Sequence, residues 1–329
     1  MPFTGILGQD NSIAVLSRSL AADKIAHAYL FDGIEGCGKK KTALAFIEAV
    51  FCGQSEGCGH CPSCRKLAAG QHPDLHLIEP DGAFIKIDQI RALQRNLSFR
   101  PFEAPKKACI IDAVDRLNIA AGNSLLKTLE EPPGNALLIL ITDNPGGVLP
   151  TILSRCQRLH FSALPEATIM TLLRETGVEP EAARIIASLS AGSMRKAVRI
   201  GEETALHERR SFLERMSSLS LGNITPLFAI AEEMAGDKEK TLELLELLTT
   251  FQRDALLLQN GSPEIVNSDL LPLIELEAAG FSGENIMERI SHVVETRRAF
   301  LSNVNSRLAL EVLFMRLAER QLNSKQLNS

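Results

Sequence analysis

Tryptophan is absent and tyrosine occurs once, as Tyr29, so aromatic residues make up only 5% of the 329 residues. A surface that stacks single-stranded bases needs more rings than that. A surplus of positive charge is missing too. There are 35 Lys and Arg against 40 Asp and Glu, a formal net charge of −5, which excludes a chain that is basic as a whole and binds nucleic acid for that reason. No apolar run is long enough to span a bilayer, and the first residues lack the charged and apolar regions of a signal peptide. A cytoplasmic protein with no membrane partner is expected. Hydrophobic content of 45% and charge of 23% are those of a globular protein, and the length calls for two or three domains.

Cysteine is the residue type present in an informative arrangement. There are seven, an odd number, and four fall in one stretch, Cys52-Gly-Gln-Ser-Glu-Gly-Cys58-Gly-His-Cys61-Pro-Ser-Cys64. In a reducing compartment this spacing favours a metal over disulfides. Cys52, Cys58, Cys61 and Cys64 offer four thiolates for a closed tetrahedral site, with Gly57, Gly59 and Pro62 as turn residues. Four thiolates leave no open position, so a structural Zn²⁺ is expected. His60 is a competing ligand, and His72 and His76 read as core or surface residues. Nothing else suggests electron transfer, which disfavours an iron–sulfur cluster. Cys37, Cys109 and Cys156 are left over, and two of them flank apolar strand patterns and read as small buried hydrophobes.

Strand and helix signals alternate over the first half. Apolar runs at Ala28 to Phe31, Leu75 to Ile78, Cys109 to Ile111, Ala136 to Ile141 and Arg158 to Phe161 are predicted strands. Helical patterns lie between them at Thr42 to Phe51, Ile87 to Leu97 and Asn118 to Glu130, the last stopped by Pro132-Pro133-Gly134. This is the pattern of an α/β domain with a parallel sheet covered on both faces. Beyond Leu164-Pro165 only helical periodicity is found: Ala167 to Thr176, Pro180 to Ser190, Met194 to Glu203, then a long region from about His207 to Leu322. The expected domains are an α/β domain over 1–163 carrying a zinc knuckle at 52–64, a three-helix lid over 164–205, an all-α domain over 206–322, and a disordered tail over 323–329.

A phosphate-binding-loop pattern, Gly33-Ile-Glu-Gly36-Cys-Gly38-Lys39-Lys40, sits between a predicted strand and a predicted helix, the context it requires. Gly33, Gly36 and Gly38 allow backbone N–H groups to converge on an anion, the helix N-terminus adds positive partial charge, and Lys39 can reach phosphate oxygens. The bland alternative is an ordinary glycine-rich turn. Position 40 should carry a hydroxyl for Mg²⁺, but Lys40 has no lone pair and repels a cation. Thr42 is two residues along the helix, about 200° round, and cannot substitute. The predicted strand ending in Asp112 supplies an acid for a metal, unless Asp112 merely caps a helix. The next residue is Ala113, where a general-base Glu would be wanted, and Asp115 is out of phase. Losing a general base removes about 10²–10⁴ in rate. Hydrolysis is therefore not expected, and ATP binding at this loop is doubtful. Arg155 in Thr151-Ile-Leu-Ser154-Arg155-Cys156 suits a phosphate through its planar guanidinium, although spacing alone reads it as a local salt-bridge partner.

The phrase Asn123-Ser-Leu-Leu-Lys-Thr-Leu-Glu-Glu-Pro-Pro133 followed by Ser154-Arg155-Cys156 resembles the clamp-loader branch of the AAA+ proteins. Gly8-Gln9 resembles their adenine-pocket segment. The cysteine knuckle with His72-Pro73-Asp74 after it looks like their bacterial members. These motifs cover about the first 205 residues; the rest is similar only in length and helical character. The resemblance implies an AAA+ fold, a helical lid and a C-terminal collar domain that joins a five-subunit ring. A damaged loop beside an intact Ser-Arg-Cys implies a non-hydrolysing ring member, not an ATPase on its own. Its Arg155 would complete the ATP site of an adjacent tau/gamma subunit in trans. Thr142 matches the sensor-1 position and Arg195 the sensor-2 position. Partners would be the tau/gamma and delta subunits and, through the assembled ring, the sliding clamp and primed DNA in replication. Two rival readings are an active tau/gamma-like ATPase, opposed by Lys40 and Ala113, and a zinc-containing nucleic-acid binding protein, opposed by charge and composition.

Overall fold

Apolar runs without alternation build the centre of the sheet. β1 (Ala28–Gly33), β3 (Lys107–Ile111) and β4 (Ala136–Thr142) are buried along their whole length, as strands covered on both faces must be. β2 (Leu75–Ile78) and β5 (Gln157–Phe161) are partly exposed edges. The five strands are parallel, in the order β2-β3-β4-β1-β5. The structure is a computed structural model that describes residues 3–53, 57–133, 135–202, 205–302 and 304–319. The expected disordered tail at 323–329, Gly134 of the helix stop and positions 54–56 of the knuckle lie outside the described residues.

The period of two divides the sheet between two cores. Tyr29, Phe31, Leu137, Ile139 and Ile141 face one of them, with Leu16 of α1 (Asp10–Ala21) and Ala43, Phe46 and Ile47 of α2 (Lys39–Phe51). Ala28, Leu30, Leu138 and Leu140 face the other. There they meet Ile90, Leu93 and Leu97 of α4 (Ile87–Ser98) and Ala121, Leu125 and Leu129 of α5 (Ile119–Glu130). Between α2 and β2 lies the short helix α3 (Pro62–Ala68), and before β5 the single turn α6 (Pro150–Leu153). Helix α1 and the helical form of Pro62-Ser-Cys64 are departures from the sequence expectation. Pro62 stands at the first helical position, where a missing N–H costs nothing, and it begins a helix instead of serving only as a turn.

Two compact units divide the chain at Glu175/Thr176, Leu189/Ser190 and Ala197/Val198. The first unit holds the sheet, α1–α6, α7 (Glu166–Glu175) and residues 190–197. The second is all-helical, containing α8 (Pro180–Leu189) and everything from Val198 on. The residues 164–205 expected to form one lid are thus shared, since α9 (Met194–Ile200) begins in one unit and ends in the other.

The second unit has its own core, drawn from α10 (Ala205–Ser217), α11 (Thr225–Ala235), α12 (Lys238–Gln259), α13 (Leu271–Gly280), α14 (Gly283–Leu301) and α15 (Ser306–Ala318). Leu245, Leu248, Phe251 and Ala255 form the buried stripe of α12; Ile286, Val293 and Phe300 recur every seven residues along α14. Asp237, Ser282 and Asn305 cap α12, α14 and α15 by accepting a backbone N–H three residues on. Each such cap is worth about 1 kcal/mol.

Candidate functional site

The loop between β1 and α2 has the backbone its glycines permit. Gly33, Gly36 and Gly38 adopt φ of 151°, 76° and 103°. A Cβ on Gly33 would collide with the Phe161 carbonyl, and one on Gly36 with Ser193 and the Arg195 backbone. Residues 190–197 press on the loop, and the Met194 N–H donates to the Gly36 carbonyl at 3.0 Å. Gln9 staples the other side. Its Nε2 donates to the Cys37 and Ser162 carbonyls, and its Oε1 accepts the Ser162 N–H.

All the loop's cations are engaged by the protein itself. The Lys39 ammonium is buried and donates to the Gly33 and Ile34 carbonyls at 2.5 and 2.6 Å. The Lys41 ammonium donates to the Gly5 carbonyl. Arg195 pairs with Glu35 of the loop, Nη1 to Oε1 at 2.6 Å, and both side chains are well exposed. Lys40 turns toward the carboxyl ends of β2 and β3. The pairing Ile78↔Ile111 sets Glu79 beside Asp112, and the Lys40 ammonium lies 2.5 Å from Glu79 Oε1 and 3.3 Å from Asp112 Oδ2. Partial burial alone would lower the Lys40 pKa; the two carboxylates outweigh it and hold the ammonium above the ordinary lysine value.

The other residues that the sequence pattern singled out for phosphate chemistry have partners of their own or lack a functional side chain. Thr42 Oγ1 donates to the Gly38 carbonyl. Ala113, in the general-base position, has a left-handed backbone (φ 55°) and is itself the cap of a 3₁₀ turn, so Asp112 is not that cap. Asp112 Oδ1 accepts the Ala113 N–H. Thr142 ends β4, buried, and donates to Asp115 Oδ1 at 2.6 Å. An anion in the loop would gain these side-chain cations only if they gave up their internal partners, and the Lys40 ammonium already lies beside the acid Asp112.

Arg155 is elsewhere. The register Tyr29↔Gln157 and Gly33↔Phe161 runs β5 alongside β1, and Arg155 precedes Gln157 by two residues. At ~3.3 Å per residue this sets Arg155 on the order of 15–20 Å from its own loop, at the opposite end of the sheet. Its side chain is 36% exposed, with Nη2 2.6 Å from Glu130 Oε1. Nη1 donates to the Thr151 carbonyl at 3.0 Å and to Ser154 Oγ at 3.3 Å. The local ion pair anticipated from spacing exists, at the surface. Of the four acids that pair with these cations, sequence reasoning found Asp112 and missed Glu35, Glu79 and Glu130. Each lies beside a recognised motif, but only the fold tells which cation each one meets.

The sulfurs of Cys52, Cys58, Cys61 and Cys64 lie within 4.8 Å of one another. Cys61 and Cys64 sulfurs are 3.4 Å apart, Cys58 and Cys64 sulfurs 3.9 Å. Four thiolates about 2.3 Å from a tetrahedral zinc would be ~3.8 Å apart, so the donor set fits that ion. Backbone N–H groups of Cys58, Cys61 and Cys64 point at the sulfurs of Cys52, Cys58 and Cys61. His60 is outside the group, with Nδ1 2.8 Å from the Cys58 carbonyl. His72 is buried against Phe51; burial lowers its pKa. Cys37 and Cys109 are buried; Cys156 is partly exposed.

Similarity to known proteins follows the same division. A family profile described as "DNA polymerase III, delta subunit" matches residues 8–165, and one described as "DNA polymerase III, delta subunit, C terminal" matches residues 203–319. The Bacillus subtilis DNA polymerase III subunit delta' is 35% identical over 318 residues, covering 94% of this chain and 96% of the relative. The Escherichia coli subunit of the same name is 28% identical over 312 residues, with 92% of each chain covered. A DNA polymerase III gamma subunit-related protein from Thermotoga maritima shares the fold, with a TM-score of 0.50 and 21% identity over 93% of this chain and 99% of the other. The architecture, an α/β domain on a parallel sheet with an all-helical remainder, is the one expected from the sequence. A relative at this identity, matched over nearly the whole of both chains, makes this protein a member of the delta-prime subunit family of DNA polymerase III.

Proposed function

We propose that this protein is the non-hydrolysing delta-prime member of a clamp-loader ring. It joins tau/gamma and delta subunits, supplies Arg155 in trans to a neighbouring tau/gamma ATP site, and helps place the sliding clamp on primed DNA. The observation that carries the reading is the Lys40 ammonium seated between Glu79 and Asp112. A dication there would have to displace a covalently tethered cation, and Ala113 offers no base to activate water. The chain's own phosphate chemistry is thereby disabled at two independent places. The arginine, by contrast, is present, partly exposed, and out of reach of its own loop. Any triphosphate this guanidinium meets would be one held by another protomer, and an arginine finger in trans is worth about 10³–10⁵ in turnover.

The cysteine group is proposed to hold one structural Zn²⁺ through Cys52, Cys58, Cys61 and Cys64. The ion would cross-link the end of α2 to the start of α3; four thiolates leave it no site for a substrate. The division into an α/β domain over 1–163, a lid over 164–205 and a collar over 206–322 is proposed from the sequence pattern, although the compact units share residues 164–205 between them, with Thr142 and Arg195 as remnants of sensor positions.

Mixing the purified chain with tau/gamma and delta subunits tests the assignment. A stable ring on gel filtration, and no ATP turnover by the lone chain in Mg²⁺, are expected. Steady hydrolysis by the lone chain would favour the rival ATPase reading and overturn this one.

A further inference from the structure

Arg155 does not project freely into solvent. It lies in a cradle made by its own protomer. Nη1 is held by the Thr151 carbonyl and Ser154 Oγ; Nη2 is held by the Glu130 carboxylate. Two guanidinium nitrogens thus have partners in the protomer, Nη1 by hydrogen bonds and Nη2 by an ion pair, while the Nε–H has no hydrogen-bond acceptor among the described residues. Glu130 is well suited to fix it. It is the last residue of α5, a helix anchored in the core by Leu125, Thr128 and Leu129, and Pro132 and Pro133 follow it.

We propose that Glu130 is a positioning residue for the trans-acting arginine, holding the Arg155 guanidinium in the plane in which it meets a neighbour's triphosphate. The inference rests on the reading of Arg155 as a finger. An arginine side chain samples many rotamers, and a contact made only in the transition state must stop that sampling when it forms. Ordering the side chain beforehand removes that cost and is worth about two- to tenfold in rate. The pair does not withhold the arginine. Both partners are substantially exposed, and exposed ion pairs are weak beside the pull of several phosphate charges.

Single-turnover ATP hydrolysis by the reconstituted ring, scored at the one nucleotide site next to this subunit, tests the proposal. Glu130→Gln is expected to slow that site about two- to tenfold with the KM for ATP unchanged, since the contact belongs to the transition state. Arg155→Ala is expected to slow it about 10³-fold. The double variant should match Arg155→Ala alone, because Glu130 has nothing left to position. A Glu130→Gln ring at or above the wild-type rate, beside an impaired Arg155→Ala ring, overturns the role of Glu130 and leaves the finger standing. Further slowing in the double variant overturns it as well. An Arg155→Ala ring at the wild-type rate removes the finger and this inference together.

Discussion

At the scale of single residues, charge placement decides what this protein can do. Lys40 brings a tethered cation to the carboxylates of Asp112 and Glu79, where a hydrolase of this fold would hold a metal. Asp74 shows the same logic used for structure. Its buried carboxylate accepts the N–H groups of Phe102, Glu103 and Ala104 at 2.7, 2.9 and 2.9 Å. Asp74→Asn removes charge-assisted bonds from a buried site and is expected to cost about 2–4 kcal/mol, read from urea unfolding midpoints. The pH dependence has a definite sign. Burial would raise the Asp74 pKa, but the three N–H donors prevail and hold it below the ordinary value of 3.8. Asp32 behaves alike; burial is outweighed by Arg158 and His160. Both contributions are whole above the unfolded carboxylate value and are lost as pH falls through the lower folded values. His76 acts earlier. Burial first, then Lys107, keeps it neutral in the folded state, so stability is full above 6.5 and declines as pH falls below it. Unfolding midpoints should therefore fall from pH 7 to 5 and again below about pH 4, the second fall being smaller in Asp74→Asn.

At the scale of elements, the knuckle carries the clearest expectation. Cys61 caps α3 through a bond from the Cys64 N–H to its sulfur, so a proposed metal ligand is also a helix cap. One zinc per chain by mass spectrometry is expected. Its removal by a chelator, or Cys61→Ser, should lower stability by about 3–4 kcal/mol if zinc stands at 100–1,000 times its Kd. The elements differ in how readily the sequence reveals them. β1, β3 and β4 are buried on both faces and appear as unbroken apolar runs. The helix α5 declares its start with Asn118, whose side chain caps it, and its end with Pro132. The helix α1 declares neither. Its cap Gln9 makes no capping bond, because that side chain is spent on Cys37 and Ser162 across the fold. The loop glycines were legible because each must adopt a positive φ. The acids Glu35, Glu79 and Glu130 were not, since their partners lie 160, 39 and 25 positions away and meet them only through the parallel sheet and the docking of residues 190–197.

At the scale of the whole molecule, the two units are built by different rules. One is a parallel sheet between two helical layers, and the other is a helical unit with a core of its own. No helix among the described residues is long and apolar enough to cross a membrane. The first unit separates the phosphate-loop pattern from Arg155 by the length of the sheet, so under the proposed function this subunit would contribute to ATP hydrolysis only through assembly. The measurement that bears on this most directly is single-turnover ATP hydrolysis by the ring reconstituted with tau/gamma and delta subunits, comparing wild type with Arg155→Ala. The expected result is that one nucleotide per ring is hydrolysed about 10³-fold more slowly in the variant while the ring stays assembled. An assembled Arg155→Ala ring that hydrolyses every nucleotide at the wild-type rate would contradict it.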